Sequence, residues 1–407
     1  MYSLSAQSDF PFENPSQPYL NTITTAAPFL LIAPDSRSGG MGDLGVATSP
    51  DNYSQHHNPA KYIFNEQVFG IGIAYSPWLN KLVNDVHLAY LASFWKITDN
   101  DAIAASLRYF SLGSIDFFSK EGFYINSANP NEFALDFTYS RKLSKIVSMA
   151  LTPRFVYSNL TAGFHDQNTG IEMRPGLAGA VDISLYVNKE FIHPNSEIKS
   201  SEFMFGANIS NIGNKVTYSN SDIRRDFLPC NLRLGLSYGI NIDDYNKIAI
   251  TVESAKLLVP TPTIYYPLDT TTNTREIYGN GKDLNTVNPI EGMARSFYDA
   301  AGGYKKNPKG CFREELREIN WSFGIEYTYR NILFVRTGTF LESKYKGNRK
   351  FVTVGVGLKY SIFAIDVSYL FTLAQYHPLE SSLRFSLTFM LDSFNKENIK
   401  NQGKINK

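Results

Sequence analysis

Residues 320–329 read NWSFGIEYTY, and apolar and polar side chains alternate at every position of this stretch. Residues 351–360, FVTVGVGLKY, and residues 383–389, LRFSLTF, follow closely related patterns. A period of two is that of a β-strand, because successive side chains point to opposite faces of a sheet. This part of the chain therefore predicts strands with one apolar and one polar face.

The same pattern along the whole chain predicts about fourteen strands, many close to the 9–11 residues that cross a bilayer when tilted. The predicted strands are 68–75, 86–95, 102–109, 132–139, 146–157, 175–188, 202–209, 231–240, 247–256, 320–329, 332–341, 351–360, 363–370 and 381–389. No helical period interrupts them, so the crossover helices of a parallel sheet are missing. The fold class is therefore all-β and antiparallel.

The composition excludes several other classes of protein. The 407 residues carry 39 Lys+Arg and 38 Asp+Glu, whereas a nucleic-acid binder shows a basic stripe. No run approaches the ~20 apolar residues of a helical membrane span. Two cysteines exclude a disulfide scaffold and a Cys-rich zinc fold. An aromatic content of 14% is too high for a disordered chain.

Three features favour an outer-membrane barrel over a large extracellular sandwich or propeller. The first is a set of charges in mid-strand on the polar faces, which a polar lumen accepts. These charges are Arg108, Asp136, Arg154, Asp182, Glu253, Glu326, Arg336, Asp366 and Arg384. The second is a gathering of aromatic residues at strand ends, as in membrane-interface girdles. They are Tyr75, Trp78, Tyr109, Tyr157 and Trp321 at one end, and Trp95, Tyr139, Tyr329, Tyr360 and Phe389 at the other.

The third feature is the alternation of short turns with long connections. The long ones are 110–131, 158–174, 210–230 and 257–319, and residues 189–201 are a long exception among the short ones. Transmembrane barrels have short periplasmic turns and long outer loops. An even strand number then places both termini in the periplasm.

The chain divides into four parts in this interpretation. Residues 1–6 end in small residues like a signal-peptide remnant, with a disordered terminus as the alternative. Residues 7–67 have no period and contain an apolar run that needs burial, which favours a plug in the lumen over a periplasmic arm. Residues 68–390 form the transmembrane barrel, and residues 391–407 a periplasmic C-terminal tail. In the plug, Arg37 and Asp43 are expected to pair with lumen charges of opposite sign.

The plug sequence resembles a known family. Residues 28–51, PFLLIAPDSRSGGMGDLGVATSPD, and residues 54–62, SQHHNPAKY, are similar to the N-terminal block of the PorV family, also called LptO. The stretches YSPWL at 75–79 and VND at 83–85 continue the resemblance, which covers roughly residues 22–95. One departure is His57, where the family pattern implies Trp. The plug residues that carry the resemblance include Arg37, Gly40, Gly42, Asp43, Asn58 and Pro59.

The resemblance implies a fourteen-stranded, FadL-like barrel with an N-terminal plug, in the outer membrane of Bacteroidota. It implies an outer-membrane component of the type IX secretion system that is not an enzyme. The partners implied are the giant translocon barrel, the C-terminal signal domains of cargo, and the cysteine sortase of the attachment complex. Membrane lipid and anionic lipopolysaccharide are the other partners that the resemblance implies. On this basis the protein shuttles cargo from the translocon to the attachment complex.

The loop 257–319 is the expected partner-binding surface, because loops this long in a compact domain are usually functional. Tyrosine and arginine are residue types typical of interface hot spots. The candidates are Tyr265, Tyr266, Arg275, Tyr278, Phe297, Tyr298, Tyr304 and Phe312. The alternative is a loop that folds over its own barrel mouth.

Three sequence motifs have residue types that are typical of other chemistry. Residues 40–45, GMGDLG, match the dinucleotide pattern, but prolines on both sides exclude the strand and helix that it needs. His56 and His57 with Asp51 provide too few ligands for a metal site. A lipid A deacylase needs a nucleophile beside a base, and His87 and Ser93 lie too far apart along one strand. We therefore expect no cofactor, no metal and no catalytic residue; the functional alternatives are this deacylase and a FadL-like channel for small hydrophobic molecules.

Cys230 and Cys311 both fall on the long-loop side of the predicted barrel. That side faces an oxidising exterior, where disulfides persist. We expect a bridge between them that ties the loops 210–230 and 257–319 together. The alternative is two separate thiols, since sequence does not determine the separation of two Cα atoms.

Overall fold

Fourteen strands pair into one closed antiparallel barrel in the computed structural model, which describes residues 21–77, 85–118, 122–160, 165–166, 171–194, 198–219, 225–264, 277, 281–302, 308–373 and 382–390. The barrel strands are β1 Phe69–Pro77, β2 Val86–Lys96, β3 Asp101–Leu112, β4 Asn131–Lys142, β5 Val147–Asn159, β6 Gly176–Ile192, β7 Ser200–Gly213, β8 Asn231–Asn241, β9 Asn246–Leu257, β10 Ile319–Tyr329, β11 Leu333–Leu341, β12 Lys350–Tyr360, β13 Phe363–Thr372 and β14 Leu383–Met390. Each pairs with its neighbours in the chain, and β14 closes the barrel on β1. The predicted fold class is confirmed.

The two faces of the wall differ as a membrane barrel requires. On β12, Val354 and Val356 are exposed on the outer surface, Val356 at 50%, and Phe385 of β14 is exposed beside them. Arg384 and Ser386, which alternate with Phe385, are buried inside. All nine charged residues predicted for the polar faces are buried. Lipid therefore meets an apolar wall, and the charges are confined to the lumen.

The two rims of the barrel differ in the length of their connections. The short-turn rim carries the connections 97–100, 143–146, 193–199, 242–245, 330–332 and 361–362. The expected exception at 189–201 shrinks to 193–199, because β6 and β7 extend further than the apolar pattern does. At Arg330–Asn331 both residues have φ 54°, the backbone geometry of a tight hairpin turn that follows the twist of its strands.

The long-loop rim, opposite the short-turn rim, carries additional structure. A hairpin, Ile115–Phe118 with Tyr124–Ala128, follows β3, and a smaller one, His165–Asp166 with Ile171–Glu172, follows β5. Between β9 and β10 lie two helices, α3 Pro289–Arg295 and α4 Pro308–Arg317. No helix among the described residues is long and apolar enough to cross a membrane.

Aromatic side chains are exposed at both rims. Tyr75, Tyr109 and Trp321 are exposed at the long-loop rim, and Tyr157 is half-buried there. Trp95, Tyr139, Tyr329 and Tyr360 are exposed at the short-turn rim, and Phe389 is half-buried there. Trp78 lies outside the described residues. The distribution is that of two interface girdles.

The segment 21–67, called the plug below, runs through the lumen from one rim to the other. It contains two short 3-10 helices, Pro28–Leu31 and Pro59–Phe64, and two single helical turns, α1 Ser36–Gly39 and α2 Ser54–His57. At its start, the Asn21 backbone N–H donates to the Tyr345 carbonyl at the long-loop rim (3.3 Å). At its end, Lys96 Nζ donates to the Asn65 carbonyl at the short-turn rim (2.6 Å).

The described start of the plug and the ends of the barrel lie at opposite rims, and the position of the two termini themselves stays a prediction. β1 begins and β14 ends at the short-turn rim, as an even strand number requires. The plug, however, crosses the lumen before β1 begins, so Asn21 lies at the opposite rim. Counting strands fixes the side of the first and last strand ends only. Residues 1–20 and 391–407 lie outside the described residues.

We predict that the two ends of the plug become labelled from opposite sides of the membrane. Thr22→Cys and Glu66→Cys each place a thiol at an exposed position, whereas the native Cys230 and Cys311 are buried. A membrane-impermeant maleimide added to intact cells should label one variant, and the other only after the outer membrane is opened. Equal labelling of both from one side would contradict the path, and the unaltered chain gives the background.

Candidate functional site: the plug and the long-loop rim

The plug contacts all fourteen strands of the barrel. Ser36–Gly39 packs on β12, β13 and β14. Pro59–Phe64 packs on β2 to β6, and the Ala60 carbonyl accepts from Ser148 Oγ of β5 (2.6 Å). The single Tyr53 O–H is shared between carbonyl oxygens of β1 and β14, with its oxygen 2.9 Å from that of Ile73 and 2.8 Å from that of Leu387. Asn208 Nδ2 of β7 donates to the His57 carbonyl (2.9 Å), and β8 to β11 are reached through the contacts described next.

Arg37 is the centre of the first cluster. Its guanidinium forms two hydrogen bonds to Glu326 of β10, Nη2 to Oε1 at 2.8 Å and Nε to Oε2 at 3.0 Å. A third joins Nη1 to Asp51 within the plug at 2.8 Å. Glu326 also accepts from Arg336 of β11 (2.6 Å), which in turn pairs with Asp366 of β13. One plug arginine therefore completes a charge chain that spans three strands.

Asp43 and the nearby glycines hold the plug against β11, β12 and β14 of the wall. The Asp43 carboxylate pairs with Arg384 of β14 in a bidentate contact. Gly42 has φ +74°, and a Cβ there would lie 2.5 Å from the Thr339 carbonyl oxygen. A Cβ on Gly40 would lie 3.0 Å from the Gly355 Cα. The motif GMGDLG is thus used for close backbone packing against the wall, where side chains would clash.

The paired histidines face two arginines of the wall. His56 Nδ1 lies 2.5 Å from Arg108 Nη2 of β3, and His57 Nδ1 lies 2.9 Å from Arg233 Nη1 of β8. His57 Nε2 is 3.4 Å from Asp35. Within the described part of the chain, no three His, Cys, Asp or Glu side chains are grouped to hold a metal ion. Both rings instead fill the space between plug and wall.

Asn58 joins the plug backbone at Val46 and Ala60 to the barrel wall at Leu185. Its Nδ2 donates to the carbonyls of Val46 and Leu185, both at 2.9 Å, and its Oδ1 accepts from Ala60 N (3.1 Å). Pro59 follows as the first residue of its helix, where a missing N–H costs nothing. Nearby, the Gly45 and Val46 amides donate to Glu253 of β9, at 2.8 and 2.9 Å.

A separate cluster in the wall is closed without the plug. Arg154 of β5 pairs with Asp136 of β4 (2.6 Å) and Asp182 of β6 (3.0 Å). A bulge in the pairing of β6 with β7 occurs at Asp182, and the Asn211 backbone N–H donates to its carboxylate (2.7 Å). The bulge re-aims one residue of the strand, which lets one arginine bridge two carboxylates.

At the long-loop rim, ion pairs join α4 to the barrel in a group called the rim cluster below. Lys256 Nζ lies 3.0 Å from Glu315 and 2.6 Å from Glu318. Lys346 Nζ lies 2.7 Å from Glu314 and 2.9 Å from Glu318. Sequence reasoning missed these residues, although acids at 314, 315 and 318 lie close together along α4 and its end. Their lysine partners are separated from them by tens of residues.

Three of the eight partner-binding candidates lie among the described residues. Phe297, Tyr298 and Phe312 are exposed, Phe312 at 65%. Tyr265, Tyr266, Arg275, Tyr278 and Tyr304 lie outside the described residues. Ile290 and Leu316, which were not singled out, are also exposed at 67% and 51%. On α4, Phe312 and Leu316 are four residues apart and share one face.

The expected bridge between Cys230 and Cys311 is wrong: both are free, buried thiols. Cys230 packs in an apolar cluster with Phe227, Leu258 and Val287. Cys311 lies on α4 and packs against Gly302. Both belong to the long-loop rim, but a shared rim does not bring two sulfur atoms within bonding distance.

The pair considered for hydrolysis lies on the outer wall. His87 and Ser93 of β2 are half-buried on the outward face. The His87 ring packs between Tyr75 and Tyr109, with centroids 5.6 and 6.3 Å away. The histidine therefore belongs to the aromatic surface of the long-loop rim.

A closed fourteen-stranded antiparallel barrel with an apolar outer wall, two aromatic girdles and a charged lumen filled by a plug defines an outer-membrane β-barrel protein. The family model described as "Type IX secretion system protein PorV" matches residues 15–264. The chain belongs to this family. It is therefore an outer-membrane component of a type IX secretion system.

Solved structures with a similar barrel come from other bacteria. The chain is similar to the toluene transporter TbuX of Ralstonia pickettii, at 11% identity over 88% of this chain and 97% of that chain, with a TM-score of 0.45. The toluene transporter TodX of Pseudomonas putida is 10% identical over 91% of this chain and 98% of that chain, with a TM-score of 0.45. A FadL homologue of Pseudomonas aeruginosa is 9% identical over 91% of this chain and 99% of that chain, with a TM-score of 0.39. No match was found among curated proteins.

We predict that Arg37→Ala lowers the free energy of unfolding by about 3–5 kcal/mol, because it leaves the buried Glu326 carboxylate with one partner fewer. Heat-dependent gel mobility of the purified barrel measures the change. Arg141→Ala is the matched control: this arginine is exposed and lies 3.5 Å from Asp101, so its loss should change the stability far less. Equal effects of the two substitutions would contradict the role of the plug contact.

We predict that the α3–α4 region loosens as the pH rises. Burial, with the nearby charges of Glu315 and Glu318, raises the pKa of Asp299 to about 7, although the Thr261 backbone N–H opposes this. An acid whose folded pKa lies above its ordinary 3.8 keeps its full stability below about pH 4 and loses it as the pH rises through about 7. Hydrogen exchange of α3 amides should therefore quicken over that range.

Asp299→Asn supplies the control for this prediction, because the amide is neutral at every pH and similar in shape to the protonated acid. Its exchange should depend on pH only through the intrinsic chemistry of the amides. An unaltered chain whose corrected exchange rates stay constant from about pH 4 to about pH 8 would contradict the prediction.

Proposed function

We propose that this protein binds the type IX translocon and the C-terminal signal domain of cargo through its long-loop rim. It then passes the cargo to the surface attachment complex and its cysteine sortase. This proposal supplies the partners that family membership leaves open. It takes the long-loop rim to face the cell exterior, with the short-turn rim in the periplasm.

The observation that carries the proposal is the exposed apolar surface between β9 and β10. Ile290, Phe297, Tyr298, Phe312 and Leu316 are all more than half exposed. On a surface that faces water, a group of exposed large apolar side chains marks an interaction site. The rim cluster holds α4 to β9 and to the loop 342–349, so the surface is presented on a fixed support.

A second exposed surface supports the use of this rim for binding. The hairpin after β3 exposes Ile115, Phe118, Phe123 and Tyr124, Phe123 at 74%. The Phe118 and Tyr124 rings pack edge to face, with centroids 6.0 Å apart. Two apolar surfaces on one rim are suited to two partners, as a shuttle requires. Lipopolysaccharide, which lies at the outer rim of any such barrel, is a further contact.

A channel for small hydrophobic molecules is less well supported. The plug crosses the lumen, and charged residues of the wall are buried against it. A cavity of about 330 Å³ opens beside the plug near the short-turn rim. Its lining includes Arg37, Asp51, Glu202, Lys247 and Asp366, which is a polar surface and not an apolar route. The deacylase alternative is also less well supported, because His87, the base considered for it, lies on the outward face of the wall.

We predict that Phe312→Asp combined with Leu316→Asp lowers the surface attachment of a secreted cargo about tenfold or more, while the barrel stays folded. The two charges fall on the exposed face of α4. Attachment is measured on whole cells, with barrel level and gel mobility as folding controls. Arg313→Ser, an exposed neighbour on the same helix, should leave attachment unchanged. Normal attachment in the double variant, at wild-type barrel level, would overturn the proposed role of this surface.

A further inference from the structure

A second cavity lies at the long-loop rim, where the plug enters the barrel, and is called the mouth groove below. Its volume is about 400 Å³, within the range of ligand sites. One wall is the start of the plug, residues 22–25 with Pro28 and Leu31. The other includes Leu257 of β9, Asn320 of β10 and the loop 342–349.

The plug wall of the groove is a straight segment with unpaired backbone. Residues 21–25 form no helix, strand, turn or bend. Asn21 and Ala26 anchor the two ends through backbone hydrogen bonds to Tyr345 (3.3 Å) and Phe227 (2.9 Å). Between these anchors, no hydrogen bond within the described residues uses the backbone of Thr22, Ile23, Thr24 or Thr25. Four successive residues thus offer free donors and acceptors.

The side chains of this segment alternate as those of an edge strand do. Ile23 is half-buried and packs on the apolar cluster that contains Phe227 and Val259. Thr22 and Thr24 are exposed, and Thr25 is half-buried. Threonine is favoured in strands. The segment is therefore held in place on one side and open on the other, so that little conformational freedom remains to be lost on binding.

The charges around the groove are already paired. Glu342 Oε1 lies 2.8 Å from Arg349 Nη2, and Glu318 Oε1 lies 2.9 Å from Lys346 Nζ. Two acids and two bases leave no net charge to attract an ion or a charged headgroup. The groove therefore offers unpaired backbone groups beside apolar surface. An extended peptide fits both, because its backbone pairs with the free groups and its side chains cover the apolar surface.

We propose that the mouth groove binds an extended peptide segment, which pairs with the backbone of Thr22–Thr25 as an added strand. The assignment rests on the proposed function, since the segment is taken to belong to the cargo signal domain. Side chains of the peptide that point inward meet Leu31 and Leu257. Because the plug supplies one wall, the site exists only while the plug is in place.

The test uses the purified full-length protein in detergent micelles, with a fluorescent signal domain from a type IX cargo as the probe. Thr24→Cys is exposed, and the native thiols are buried, so the new thiol is modified selectively after folding. A bulky maleimide at this position should weaken binding about tenfold or more, whereas a small methylthio group should leave it unchanged. The same bulky group on Glu66→Cys, at the other rim, should have no effect.

A second pair of variants isolates the backbone contribution. Thr24→Ala keeps the N–H group and should bind as the unaltered chain does. Thr24→Pro removes the N–H group and should bind about tenfold more weakly, because it leaves a hydrogen bond unmade in the complex. Equal affinities of the two variants, together with equal affinities of the two Thr24 adducts, would overturn the groove assignment and leave the shuttle function intact.

Two other outcomes would also overturn the assignment. If the unaltered protein does not bind the signal domain, the shuttle function fails and the groove assignment fails with it. If radiolabelled toluene binds and the bulky Thr24 adduct blocks it, while signal-domain binding is unchanged, the cavity holds small apolar molecules. Each result is distinct from the others in the same binding measurements.

Discussion

The pairing of buried lumen charges is the constraint on which the rest of this structure depends. A barrel whose outer face meets lipid confines its ionisable residues to the interior, where an unpaired charge is strongly destabilising. Some of these charges pair within the wall, as Arg154 does with Asp136 and Asp182. Others also pair with the plug: Glu326 accepts from Arg37 as well as from Arg336 of the wall, and Arg384 binds Asp43. Wall and plug are therefore one electrostatic unit.

This constraint explains why the plug follows the path that it does. The plug neutralises charges on β10 and β14 and donates backbone amides to Glu253 of β9. It also reaches β5 near the short-turn rim, so it must extend along most of the lumen. Backbone also has to approach the wall closely, and Gly40 and Gly42 permit this where a Cβ would collide with Gly355 and Thr339. The result is an interior filled by specific contacts, which leaves the rims as the surfaces available for partners.

The long-loop rim is organised for that use. The rim cluster fixes α4 through two lysines that each contact two glutamates, and the exposed face of the helix then presents Phe312 and Leu316. The same loop 342–349 that supplies Lys346 also anchors Asn21. The entry of the plug, the support of α4 and the mouth groove thus share one loop. A change in that loop is expected to affect all three.

Local pattern was sufficient for the barrel but not for its long-range contacts. Alternation in stretches such as 320–329 determined the strands, their faces and the antiparallel class, because a period of two is read from neighbours in the chain. It also placed Glu326 and Arg384 in the lumen and predicted that Arg37 and Asp43 pair with lumen charges of opposite sign. Only the tertiary structure decided which charges meet, since Arg37 and Glu326 are brought together by barrel closure. It also decided that Asn21 lies at the rim opposite β1, that Cys230 and Cys311 stay apart, and that Lys256 and Lys346 share Glu318. These facts depend on distances between remote segments, which no local periodicity encodes.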